Sequence, residues 1–150
     1  MNIKFKIYLI FLLIIFGIAG PVWGQITFSE IMFDPATNEY YDEFIEISNT
    51  GESPVLLKNT ALDESARLII NGSENILYSP DNNYLLNPGQ KAVILDNGYL
   101  VEGKSTAYED MIPDSAILLT IEGASFGSNG LSNSAPNQLL LIEPVVGDTL

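Results

Sequence analysis

From residue 25 onward the apolar positions recur with a period of two rather than 3.6. In Phe44-Ile45-Glu46-Ile47-Ser48, Ile45 and Ile47 share one face while Phe44, Glu46 and Ser48 share the other, as in a half-buried strand. Residues 26–33 predict an earlier strand, closed by the turn pair Asp34-Pro35. Further strands are predicted over residues 54–57, 67–70, 75–78, 91–95, 116–121 and 138–142. Their punctuation is specific. Asn71-Gly72 reads as a two-residue hairpin turn, and Asn87-Pro88-Gly89-Gln90 as a type II turn. Residues 102–113 are polar and acidic and read as a longer loop, and residues 123–136, rich in Gly, Ser and Asn, as another. No clean helical stripe follows Gln25, and no repeat at a fixed period is present. Short strands punctuated this way predict an all-β sandwich.

The first 24 residues follow other rules. Lys4 and Lys6 precede an unbroken apolar run over residues 7–16, and Val22 and Gly24 stand three and one residues before the expected break. This describes a secretory signal peptide, cleaved after Gly24. A membrane-spanning helix needs ~20 apolar residues, longer than this run. The domain is thus expected over residues 25–150, secreted, on the cell surface or in a periplasm, with membrane contact only during export.

Charge and composition narrow the chemistry. The chain carries 19 acidic and 6 basic residues, a net charge of −13 that cleavage moves to −15, and it has no His and no Cys. Nucleophilic pairs built on His or Cys, thiolate or imidazole zinc sites and disulfides are therefore excluded. The basic residues Lys58, Arg67, Lys91 and Lys104 are scattered, so direct nucleic-acid binding is not expected.

Several segments, in order, resemble the lamin-tail domain, an immunoglobulin-like module also found in secreted bacterial proteins. The opening segment of residues 26–35 carries Glu30 and closes on Asp34-Pro35. The most specific segment is Glu43-Phe44-Ile45-Glu46-Ile47-Ser48-Asn49-Thr50-Gly51, followed by Val55-Leu56-Leu57. Pro88-Gly89 precedes Val93-Ile94-Leu95, and Gly130-Leu131-Ser132-Asn133-Ser134 precedes Leu139-Leu140-Leu141. The resemblance implies that Glu30, Asp34, Pro35, Glu43, Ile45, Glu46, Asn49, Gly51, Pro88, Gly89, Ser132 and Asn133 are structural motif positions. Two departures stand out. Asn59-Thr60 replaces a Gly-Trp pair, and the chain stops at Leu150 where the family continues into another strand. The final strand is accordingly expected to be truncated, leaving an incomplete domain or a fragment of a longer protein.

The candidate chemistry centres on the first two strands. Asp34, Asp42 and Glu43 are candidate calcium ligands, because hard cations take carboxylate oxygens near turns. No spaced calcium loop is present, so solvated or structural acids are the competing expectation. Tyr40 and Tyr41 beside Asp42 and Glu43 form the candidate binding surface, as Tyr is enriched at recognition surfaces. No catalytic residues are assigned, and calcium is the one cofactor considered. The resemblance implies a non-catalytic secreted module for attachment or contact with a protein or cell-surface partner. Two alternatives remain: the N-terminal part of a secreted nuclease or other hydrolase whose active site lies beyond Leu150, and a calcium-stabilised adhesive domain.

Overall fold

The structure, a computed structural model, describes residues 25–35, 41–100, 105, 108, 111–123, 125–127 and 130–144. The expected signal peptide, Tyr40 and the expected truncated strand at residues 145–150 lie outside the described residues. Among these residues there are eleven strands and no helix.

The strands are β1 (Ile26–Met32), β2 (Phe44–Asn49), β3 (Val55–Leu56), β4 (Lys58–Asn59), β5 (Glu64–Ser65), β6 (Arg67–Ile70), β7 (Ser73–Tyr78), β8 (Leu85–Leu86), β9 (Lys91–Leu95), β10 (Ile117–Ile121) and β11 (Leu139–Ile142). Local chemistry sets the turns. Asn71 and Gly72 both take positive φ, 49° and 86°, between Ile70 and its partner Ser73, as a tight hairpin requires. At the Pro88-Gly89 turn Gly89 has φ 73°, and Gln90 N–H donates to the Asn87 carbonyl at 2.9 Å. The Asn49 amide explains the Asn-x-Gly spacing. It donates to the Ser53 and Leu86 carbonyls at 2.8 and 2.9 Å and accepts from Gly51 N–H at 2.9 Å. One buried side chain thereby ties β2 to the turn after it and to β8.

Seven strands form one sheet in the order β1-β2-β9-β10-β7-β6-β11, antiparallel except for the parallel pair β9 and β10. The sheet is curled, and its β10–β7 junction is short, with only Thr120↔Tyr78 and Ile121↔Leu77 paired. Its two halves close on one core. Ile45, Ile47, Ala92, Ile94, Ile117 and Leu119 come from one half, Leu68, Ile70 and Leu77 from the other, and Leu57, Leu86, Phe126 and Leu131 fill between them. This is the all-β architecture expected from the period-two pattern, and its curled sheet fits the immunoglobulin-like form that the family resemblance implies.

Two features depart from the sequence expectation. Residues 102–113 are not simply a solvated loop. They fall within the crossover that a parallel pair demands, and of its described residues Tyr99, Tyr108 and Ile112 pack on the outer face of β2 and β9. There Val93, Leu95 and Tyr99 form a second apolar cluster with Phe44, Tyr108 and Ile112. Secondly, Phe126, from the Gly- and Ser-rich stretch read as a loop, is the largest fully buried side chain.

Candidate functional site

Of the acids singled out from sequence, Asp42 and Glu43 immediately precede β2 while Asp34 closes the segment after β1, and each is held separately. Asp42 is 1% exposed. Its carboxylate accepts from the Ser105 hydroxyl, and its carbonyl accepts from the Tyr108 hydroxyl. Glu43 is 5% exposed, and both its carboxylate oxygens lie 3.0 Å from Leu131 N–H. Gly130 makes that approach possible: its φ is 83°, and a Cβ there would meet Glu43 Oε2 at 3.0 Å. The late Gly-Leu-Ser-Asn motif is thus clasped to the start of β2 across 88 residues of sequence. Asp34 is exposed, with Asn133 Nδ2 at 3.4 Å from Oδ1. Ser132 Oγ accepts from the Ala135 N–H at 3.0 Å and so stabilises its own turn. Pro35 is buried.

The structure therefore brings Asp42 and Glu43 close in sequence but directs them to different partners, and Asp34 stands apart. Among the described residues, no group of three or more His, Cys, Asp or Glu side chains is placed to hold a metal ion. Tyr41 is half-buried and lies against Gly98, where an added Cβ would come within 2.4 Å of its ring.

Glu46 sits on the outer face. Ser29 Oγ and Lys91 Nζ both donate to its Oε1 at 2.7 Å. Burial pushes this carboxyl up, but the Lys91 and Ser29 hydrogen bonds and the Lys91 charge together hold it below the usual carboxylate range. Asp96, which the sequence marks only as part of a turn, is 1% exposed. Burial raises it to about 6, against the lowering effect of the Gly98 N–H that it accepts. The Tyr108 hydroxyl is pushed up to about 12, first by burial and then by the charges of Asp42, Tyr99 and Glu30, so it remains a donor at neutral pH.

Two concavities lined by described residues bear on recognition. One, about 330 Å³, is lined by Lys58, Asp63, Arg67, Glu74 and Tyr78 among others. Its cations are already paired, Lys58 with Asp63 at 3.0 Å and Arg67 with Glu74 at 3.2 Å. The other is a groove of about 250 Å³ on the outer face, bounded by β1, β2, β9 and the crossover. Phe44, Val93, Tyr108, Met111 and Ile112 give it an apolar floor and wall, and Glu30 and Glu46 give it an acidic end. Sequence reasoning missed this groove. The available signal was the spacing of Tyr108, Met111 and Ile112, which the structure gathers in one turn through bonds from Met111 and Ile112 N–H to the Tyr108 carbonyl. No nucleophile activated by a neighbouring base is found among the described residues of either concavity, and what the second offers is recognition by shape and charge.

Comparison with curated proteins and with solved structures returns no match. The family model of the Lamin Tail Domain, however, matches residues 21–135, from ahead of β1 through the Ser132-Asn133 turn clasped by Glu43. The chain belongs to the lamin tail domain family, and its curled all-β sheet agrees with that membership.

Proposed function

We propose that the protein is a secreted, non-catalytic accessory module that mediates contact with another protein or a cell-surface partner. The observation that carries this reading is the state of the acids. Asp42, Glu43 and Glu46, the carboxylates best placed for chemistry, each accept structural hydrogen bonds, while apolar side chains line an open groove beside them. Membership of an immunoglobulin-like family supports it, and the basic-apolar-small pattern of residues 1–24 supports export.

The test uses the protein as its host processes it. The intact mass of the native product and its first residue report cleavage after Gly24 and any continuation of the chain. The same sample is assayed for nuclease, glycosidase and esterase activity. A product starting at Gln25 and inactive in all three assays agrees with the reading. Hydrolysis by purified Gln25–Leu150 would falsify the non-catalytic assignment.

A further inference from the structure

The outer face of β1 and β2 holds more negative charge than its neighbours neutralise. Glu30 lies directly opposite Glu46 across the antiparallel pair, an unfavourable arrangement for like charges. Lys91 donates to Glu46, and among the described residues no hydrogen bond or ion pair engages the Glu30 carboxylate. Glu30 nevertheless faces the same space as Lys91 and Tyr108. Its charge adds to that of Glu46 in holding the Lys91 ammonium protonated, and it adds to burial in raising the Tyr108 hydroxyl. The groove runs from this acidic end over Phe44 and Val93 to Met111, which is 71% exposed. β1 is also the terminal strand of the sheet, so one side of its backbone has no partner strand among the described residues.

We propose that this face takes an extended, Arg- or Lys-bearing segment of a partner protein, added as a strand at the side of β1 that no described strand pairs, with a cation at Glu30. The proposal rests on the binding-module reading above. Backbone pairing at an exposed edge gives affinity, and side chains falling in adjacent pockets give specificity. A long basic side chain suits this groove, because its aliphatic stem covers apolar surface while its charged head reaches the carboxylates. A guanidinium suits it best, being planar and weakly hydrated. The acidic chain also attracts a basic partner at long range. A second copy is the poorer occupant. It would bring its own Glu30 and a strongly acidic net charge to the same edge, placing like charges opposite one another.

The experiment is fluorescence anisotropy on the protein as processed by its host, with four labelled eight-residue probes. These are alternating Arg-Val, the same peptide N-methylated at alternate residues, alternating Glu-Val, and a peptide of equal positive charge with Gly and Ser in place of Val. The expected result is binding of Arg-Val alone, weakened about tenfold by Glu30→Gln, since a charge-assisted contact is lost. Glu30→Lys abolishes Arg-Val binding and admits Glu-Val. Met111→Ser weakens Arg-Val binding by a smaller factor. Equal binding of the N-methylated or Gly-Ser probe overturns the proposal in favour of diffuse charge attraction, and so does indifference to Glu30→Gln. Sedimentation as a dimer that Glu30→Gln tightens assigns the edge to a second copy and overturns it too. A native complex retained equally well by Glu30→Lys overturns the groove but leaves the module reading intact, which only hydrolysis would remove.

Discussion

The two faces of β2 and β9 make an instructive contrast. On the inner face, Ile45, Ile47, Ala92 and Ile94 meet the opposite half of the sheet and are sealed. The outer face of the same strands presents Phe44, Glu46, Val93 and Leu95, and a crossover segment covers it only in part. Alternation along a strand makes both faces from one stretch of sequence. The inner face is aliphatic and is defined by volume. The outer face mixes aromatic rings with carboxylates and is defined by direction: Phe44 meets Tyr108 edge-on at 5.1 Å, and Tyr99 stacks on Tyr108 at 5.8 Å. A sealed face contributes stability, whereas a face left partly open beside charged groups is available to a partner.

The largest effect that would test this contrast lies on the inner side. Phe126→Ala empties the site of the largest fully buried side chain and is expected to cost about 3–5 kcal/mol in urea unfolding. A cost below about 1 kcal/mol would show that the core collapses around the gap and that the inner face is not defined by volume.

The next largest effect lies at the end of β9, where Asp96 is buried. Burial pushes its carboxyl up to about 6, above the ordinary Asp range near 3.8, so the native state binds its proton more tightly than the unfolded chain. The stability linked to that proton is fully present below about pH 4 and is lost as pH rises through about 6, on the order of 2–3 kcal/mol. Asp96→Asn keeps an acceptor for Gly98 N–H and removes the titration. Relative to wild type, the variant should therefore gain stability between pH 4.5 and pH 7.5 in paired denaturant melts. Parallel pH profiles for the two proteins would place Asp96 in solvent rather than in the fold.

The smallest effect belongs to the outer face. Met111→Ser removes an exposed side chain from the groove, so unfolding should change by no more than about 0.5 kcal/mol. The same variant should lower binding of the Arg-Val probe. A large loss of stability instead would make Met111 part of the second apolar cluster and close the outer face as a binding surface.

Much of the local structure was legible in the sequence. Asn71-Gly72 and Pro88-Gly89 gave the turns, because only a few residue types tolerate positive φ. The Ile45-x-Ile47 alternation gave the buried face of β2, because a strand alternates its side chains whatever surrounds it. The ordered motifs gave the family. The candidate site was less legible. Tyr40, Tyr41, Asp42 and Glu43 are adjacent in the chain, but the partners of Asp42 and Glu43 lie 63 and 88 residues away.

What only the tertiary structure decided was which segment covers which face. The parallel pairing of β9 with β10 drew the crossover onto the outer face, turned Tyr108 toward Phe44 and Asp42, and left the groove beside Glu30. The burial of Phe126 within a Gly- and Ser-rich stretch was settled in the same way. Turn chemistry and side-chain alternation are properties of a few adjacent residues, so the sequence determines them directly. Coverage is a competition among distant segments for the same apolar surface, and its outcome depends on the whole arrangement of strands.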